Sequence, residues 1–436
     1  MNVVEYPDFS LWKRISARPQ DDRSEVESIV REIINKVRQG GDHALKELTC
    51  KYDGSAGNCL FATEKELSGA GDLIDNTLKE AIKVAVGNIE KFHLLQGYRE
   101  VETETLPGVF CMRKAIPVTR VGLYVPGGSA PLFSTVLMLG IPARIAGCKE
   151  IVLFTPPASG SGADQTILYC ANLLGIKEVV IAGGAQAVAA MAYGTESIKA
   201  VDKIFGPGNR FVTEAKLQVS RDVEIDMAAG PSELMIVADS SAFPEFIAAD
   251  ILSQAEHGPD SQIFLLTSEK ELIEPVIREL KKQMAALPRR ETAVKALSNG
   301  RIVLVESRDK MLELVNDYAP EHLMLSVSEP RKMAEGVYNA GSVFLGNWSA
   351  ESAGDYASGP NHTLPTGRRA VATGGVSLES FMHTVTIQEL TKEGLLAIGR
   401  SVERMAEAEG LLGHKNAVKV RLEQIENDRN DRNDRK

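Results

Sequence analysis

The stretch Ser253-Gln254-Ala255-Glu256-His257-Gly258-Pro259-Asp260 sets a carboxamide and an imidazole three residues apart at the end of a predicted helix. That helix reads from about Phe246, and Ile247 and Ile251 mark its buried stripe at helical spacing. Gln254 and His257 extend the stripe, and Gly258-Pro259 stops the helix. Polar side chains turned inward need hydrogen bonds or a ligand. From these residues alone, a satisfied core amide and histidine is the commoner reading, and a metal site the alternative.

Further histidines follow in the second half: His322, His362, His383 and His414. Asn316-Asp317-Tyr318-Ala319-Pro320-Glu321-His322-Leu323 sets a Glu-His pair at the mouth of a strand, suited to moving protons or to a plain strand-end ion pair. Residues 349–362 form a long polar loop with little to bury, and such loops tend to carry function. His383 has no motif around it and reads as an ordinary polar residue, as do His43 and His93 on solvated helical positions.

The elements that must hold these groups are α/β in texture. Ser24 with Glu27 reads as a capping box opening an amphipathic helix, which Gly40-Gly41 ends. A second helix spans about Leu78 to His93. From Pro117 onward a short apolar run leads into a Gly/Pro-rich turn and then a helical stretch. Val121–Val125 precedes Pro126-Gly127-Gly128-Ser129-Ala130, and Ile151–Phe154 precedes Thr155-Pro156-Pro157. Glu178–Ala182 precedes Gly183-Gly184-Ala185-Gln186, and Lys203–Phe205 precedes Gly206-Pro207-Gly208-Asn209. Repetition at this spacing predicts a parallel sheet whose turns gather at the carboxyl ends of the strands, where phosphate-bearing ligands are held. None of the turns matches GxGxxG, so any dinucleotide site departs from the standard fingerprint.

Strand patterns resume at Leu234–Ala238, Gln262–Leu266, Ile302–Val305, Leu323–Leu325 and Ser342–Leu345. The predicted fold is α/β, with two Rossmann-like parallel-sheet domains, one inserted in the other, and small N- and C-terminal helical extensions. The expected boundaries are an arm at 1–22, a first α/β domain at 23–117 and 231–386, and an insert at 118–230. A C-terminal helical dimerisation segment follows at 387–426, and a disordered tail with repeated Asn-Asp-Arg at 427–436.

The chain has 436 residues, enough for more than one core, and 44% of them are apolar. No apolar run could span a bilayer and no secretory signal is visible, while a net charge of −10 argues against nucleic acid as the main partner. Five cysteines without a CxxC pair, all within the first 170 residues, fit a cytoplasmic protein and leave the metal-type motifs without thiolates.

The stretches GLYVPGGSAPL, GGAQA, KIFGPGN, AGPSE, LSQAEHGPDSQ, APEHL, AGSVFLG, ESAGDYASGPNH and EGLLGHKNAV resemble, in that order, those of the histidinol dehydrogenases. The likeness runs from roughly Val26 to Arg421. It implies oxidation of L-histidinol through L-histidinaldehyde to L-histidine, the last steps of histidine biosynthesis, with two NAD per turnover and one zinc ion per subunit of a homodimer. By motif, it implies Gln254, His257, Asp355 and His414 as zinc ligands, and Glu321 and His322 as the catalytic pair. These ligands and His322 would also meet the substrate, together with Ser232, His362 and Glu409. Tyr124, Gln186 and Asn209 would line the NAD site. Glu409 and His414 would come from the partner subunit through an exchanged C-terminal segment. One departure is the stretch Gly367-Arg368-Arg369-Ala370, more basic than the family pattern.

The chemistry agrees with that implication. A Gln/His/Asp/His set without thiolate suits zinc with room for further ligands. The absence of cysteine near the motifs favours oxidation of an aldehyde hydrate over a thiohemiacetal route. Three rivals are a metallohydrolase, a related zinc/NAD dehydrogenase for another primary alcohol, and a non-catalytic dinucleotide scaffold. The first leaves the Gly-rich turns without a task, and the last has no use for a zinc set.

Overall fold

The computed structural model describes residues 1–18, 24–54, 59–127, 131–158, 162–228 and 230–433. In chain order its strands are β1 (Asn2–Glu5), β2 (Val101–Leu106), β3 (Val109–Pro117), β4 (Arg120–Tyr124), β5 (Glu150–Thr155), β6 (Glu178–Ile181) and β7 (Lys203–Phe205). There follow β8 (Glu224–Ile225), β9 (Glu233–Ala238), β10 (Gln262–Thr267), β11 (Arg301–Leu304), β12 (His322–Ser326), β13 (Ser342–Leu345) and β14 (Met382–Leu390). Two compact units result, Met1–Gln96 with Val118–Phe381, and Gly97–Pro117 with Met382–Lys436.

The larger unit holds two parallel sheets, ordered β6-β5-β4-β7-β8 and β1-β11-β10-β9-β12-β13. Strands β9 and β10 are buried along their whole length, as expected of a sheet covered on both faces. Their alternate residues serve two cores: Leu234, Ile236, Ile263 and Leu265 enter one, and Met235, Val237, Phe264 and Leu266 the other.

Several features differ from the sequence reading. The helix Ser24–Asp53, placed with the later sheet, shares its core with the five-stranded one. Its stripe of Val26, Val30, Ile33, Ile34 and Val37 belongs to the core that includes Val152, Phe154 and Ala187–Ala190, and the expected break survives as a kink at Gly41. Of the arm expected at 1–22, the described residues 1–18 are more than an arm, because β1 extends the six-stranded sheet and Trp12 and Ile15 are buried in its core. His93 is fully buried at the end of the helix Asn76–Leu94, with Nδ1 against the Ile89 carbonyl at 2.9 Å.

The smaller unit contains an unexpected antiparallel sheet, β14-β3-β2, beside the helices Lys392–Ala408 and Leu412–Asn433. Strand β14 escapes a core pattern because it is exposed along nearly all its length; its nine-residue register with β3 holds it. The second helix continues into the stretch expected to be disordered. Asp428 there pairs with Lys392 and accepts from Gln424 Nε2 at 2.8 Å. Residues 434–436 lie outside the described residues. No helix among the described residues is long and apolar enough to cross a membrane.

Candidate active site

Strand register brings the Glu-His pair to the amino edge of the six-stranded sheet. Parallel pairing sets His322 opposite Leu234 on one side and Ser342 on the other. The turn into β12 passes through Ala319, buried and left-handed at φ 53°, a costly conformation for alanine that lets the chain leave the helix Arg308–Tyr318 and enter the strand at once. The backbone of Glu233, at the start of β9, then meets both side chains. Its N–H donates to Glu321 Oε2 at 2.8 Å, and its carbonyl lies 3.2 Å from His322 Nδ1. Nδ1–H donates to that carbonyl, so Nε2 is the basic nitrogen; Nε2 is buried and lacks a hydrogen-bond partner among the described residues.

Carboxylates crowd this imidazole. Glu321 Oε2 and Glu351 Oε1 lie 3.7 Å from Nδ1, and Asp355 Oδ1 lies 3.7 Å from Nε2. Burial alone would lower the pKa of His322, but Glu321, Asp355 and Glu351 outweigh it and draw it up to about 10. Burial pushes Glu321 up to about 8, opposed by the His322 charge. A cation held nearby would relieve the same crowding.

The expected metal ligands fall in two groups. Gln254 is wholly buried at the end of the helix Pro244–Ala255, and neither amide atom has a hydrogen-bond partner among the described residues. Two orphaned polar atoms on a buried amide call for a ligand. His257 departs from the expected buried stripe. The helix stops at Ala255, and the imidazole stands past its end, 48% exposed, with Nε2 4.0 Å from Asp355 Oδ2. His257, Asp355 and Glu351 offer ligand atoms within 4.8 Å of one another. An amide oxygen, an imidazole and carboxylates without a thiolate fit zinc. Glu409 and His414 belong to the smaller unit, at the C-cap of the helix Lys392–Ala408 and in the helix Leu412–Asn433, and both are exposed.

Glu351 was missed by sequence reasoning. It stands one helical turn before Asp355 on the helix Glu351–Tyr356, so the signal lay in that spacing. It is fully buried and accepts from Ser253 Oγ at 2.6 Å. A cavity of about 440 Å3 opens beside these groups, lined by His322, Asp355, His362, Phe344 and Trp348. His362 sits with Nδ1 2.9 Å from the Asp355 carbonyl and Nε2 3.2 Å from Thr135 Oγ1, and burial holds it below its ordinary pKa. Thr135 lies on the helix Phe133–Ala146, which follows β4. Ser232 is half-buried just ahead of β9. Arg368, from the basic stretch, donates from Nε to the Asp317 carbonyl at 2.8 Å and so holds the loop that leads to the Glu-His pair.

At the carboxyl edge of the five-stranded sheet the chain turns outward in both directions from between β4 and β7, the crevice where such sheets take ligands. Gly206 has φ 123°, and a Cβ there would stand 2.1 Å from the Tyr124 carbonyl oxygen, so only glycine lets the two loops approach. The buried Lys216–Asp226 pair grips Gly206: Nζ donates to its carbonyl and its N–H donates to Oδ2, both at 2.8 Å. Tyr124 Oη accepts from the Gly184 N–H at 3.1 Å, and Gln186 Nε2 donates to Asp53 Oδ2 at 2.9 Å. Asn209 caps the helix Arg210–Val219 through its side-chain oxygen, leaving its amide N–H groups free of that task. Gly128, Ser129 and Ala130 of the first turn lie outside the described residues.

Two wound parallel sheets, one with an open glycine-lined edge and one with a buried acid-imidazole cluster, define an α/β enzyme. The histidinol dehydrogenase profile matches residues 16–422. A histidinol dehydrogenase of Bacteroides thetaiotaomicron is 51% identical over 98% of this chain and 100% of its own. One of Shigella sonnei is 49% identical over 95% of each. The crystal structure of histidinol dehydrogenase from Elizabethkingia anophelis superposes with a TM-score of 0.95 at 47% identity, covering 98% of this chain and 99% of that one. The chain belongs to the histidinol dehydrogenase family, and is thus an oxidoreductase of histidine biosynthesis.

Proposed function

We propose that the protein oxidises L-histidinol to L-histidine in two successive hydride transfers, with His322 as the base for both. The observation that carries this reading is the His322 ring: Nδ1 is committed to the Glu233 carbonyl, and Nε2, with no hydrogen-bond partner among the described residues, is buried at the wall of the cavity. Hydride leaves an alcohol carbon readily only once the hydroxyl proton is taken, which is work for a positioned imidazole. Gln254, His257, Asp355 and His414 would hold zinc, which would bind the substrate by its imidazole and amine, away from the reacting carbon, and NAD would supply the hydride acceptor. Cationic charge at Asp355 would offset the carboxylate field and bring His322 down toward neutrality.

The second oxidation needs water added to the aldehyde carbonyl, since only the hydrate has a hydride to give. Glu321, raised above the usual carboxylate range, takes a proton from that water, and His322 takes one from the hydrate as the second hydride leaves. Tyr124, Gln186 and Asn209 border the edge proposed to receive NAD. Adding histidinol and NAD to the zinc-loaded protein should yield NADH and histidine in a two-to-one ratio. NADH without histidine would point to a different alcohol oxidation, and no NADH would reject the reading.

We further infer a homodimer whose sites are shared, with Glu409 and His414 supplied by the partner. Their motif, EGLLGHKNAV, lies on the short C-terminal helices. Inactive His257→Ala and His414→Ala chains, refolded as a mixture, should regain about a quarter of normal activity, because half the random dimers carry one intact site of two. Proven heterodimers without activity would reject the exchange.

A further inference from the structure

We propose that Glu233, held by Arg18 of the N-terminal segment, is a positioning residue for Glu321 and His322. This inference rests on reading those two as the catalytic pair. The backbone of Glu233 touches both, through its N–H on Glu321 and its carbonyl on His322. These two groups lie in the successive peptide planes that meet at the Glu233 Cα, and they can orient two side chains only if that Cα is itself fixed. The side chain that fixes it is 1% exposed and fully engaged. Arg18 binds both carboxylate oxygens, Nε to Oε1 and Nη2 to Oε2, the latter at 2.8 Å, and the Gly367 N–H donates to Oε1 at 3.0 Å.

Arg18 also holds the other side of the loop. Its Nη2 donates to the Tyr318 carbonyl at 2.9 Å, and its guanidinium lies 4.0 Å over the Tyr318 ring. One cation therefore links the start of β9 to the turn that delivers Glu321 and His322. A planar fork can make these contacts together; a lysine ammonium cannot reproduce them. Without Arg18, Glu233 keeps a buried charge with only the Gly367 N–H donating to it among the described residues, close to the second buried carboxylate of Glu321. That charge must move toward water, and the peptide moves with it. A shift of this kind alters proton transfer far more than substrate affinity, which the cavity supplies elsewhere.

The test uses the full-length, zinc-loaded protein and follows kcat, KM for histidinol and the melting temperature. Arg18→Met should lower kcat by about 10- to 100-fold, with KM changed less than about threefold. Adding Glu233→Gln to Arg18→Met should recover kcat several-fold by removing the stranded charge, a relief that a merely structural anchor would not give. Arg18→Lys, which keeps the charge and disturbs folding least, should fall between wild type and Arg18→Met. Wild-type kcat in Arg18→Met overturns the proposal, as does a loss that Glu233→Gln fails to relieve. If Arg18→Met does not fold, wild-type kcat in Arg18→Lys overturns it. Glu321→Gln and His322→Asn serve as controls: full turnover in both rejects the catalytic reading itself, whereas their collapse beside unaffected Arg18 variants rejects only the positioning role.

Discussion

The two parallel sheets of the larger unit are wound alike but present opposite edges for chemistry. Each runs outward in one direction from a central strand, β4 or β9, and then returns to build the other side. This makes a crevice at the carboxyl ends of β4 and β7, and another at those of β9 and β12. In the five-stranded sheet that crevice is bordered by the Gly206–Asn209 turn. In the six-stranded sheet it is closed by Asp239. Oδ1 there accepts the Ser241 N–H at 2.9 Å, and Oδ2 accepts the Ser328 N–H and hydroxyl at 2.8 and 2.9 Å. Glu321, His322 and Glu233 gather at the opposite, amino edge. An edge becomes a site where polar groups are left wanting partners; topology alone does not decide it.

The comparison breaks at once if the amino edge is not catalytic. Replacing His322 with asparagine should cut turnover by about a hundredfold or more, the usual loss for a general base. Glu321→Gln should abolish conversion of histidinol to histidine while some oxidation of supplied histidinaldehyde hydrate persists. A variant with normal turnover would reject the role of that residue, and normal turnover in both would return the edge to a structural role.

Removing the metal should also stop turnover, yet leave both sheets folded. The proposed ligands in the larger unit sit at a helix end and on the six-residue helix Glu351–Tyr356, outside the cores around β4–β8 and β9–β12. Such cores do not need an ion to form, unlike those of very small metal domains. Chelation followed by circular dichroism checks this; cooperative unfolding would make the metal structural.

At the carboxyl edge of the five-stranded sheet, Gly206→Ala should weaken NAD binding by about tenfold, through strain of about 1–3 kcal/mol at a positive φ and a clash with the Tyr124 carbonyl. Histidinol affinity should stay near normal. Titration with each ligand separately distinguishes this from general damage, which would weaken both.

Much of this contrast was legible in the sequence, because its strands are short apolar runs ending in glycine and proline. Every strand proposed from Val121 to Leu345 is present within two residues of its expected ends. The strands of the smaller unit were not legible, since β2 and β14 bury almost nothing and leave no hydrophobic period to read. Of the candidate site, residues inside polar motifs stood out. Glu233 and Glu351 lie inside two of those motifs, AGPSE and ESAGDYASGPNH, and were still passed over, because their contribution depends on which backbone or ring lies opposite. The Arg18–Glu233 contact spans 215 positions and has no local signature. His257 was placed on a buried stripe because periodicity was carried past the true helix end.

The smallest effect concerns the closed crevice. If Asp239 only ties the β9 turn to the β12 turn, Asp239→Asn should leave kcat and both ligand affinities unchanged and cost stability alone. The loss should be about 1 kcal/mol, because the position is partly open to water and asparagine retains one acceptor. Its pH dependence identifies the cause. Burial would raise the Asp239 carboxyl, but bonds from Ser241 and Ser328 hold it below the usual carboxylate range. A depressed folded-state pKa stabilises the native protein above the unfolded value, near about 3.9, and the gain vanishes as pH falls through the folded value. The stability gap between wild type and Asp239→Asn should therefore be full at neutral pH and shrink below about pH 4. Urea unfolding at several pH values would show it. A gap that persists in acid would mean that shape, not charge, closes that edge, and a fall in NAD affinity would mean that the crevice is not closed at all.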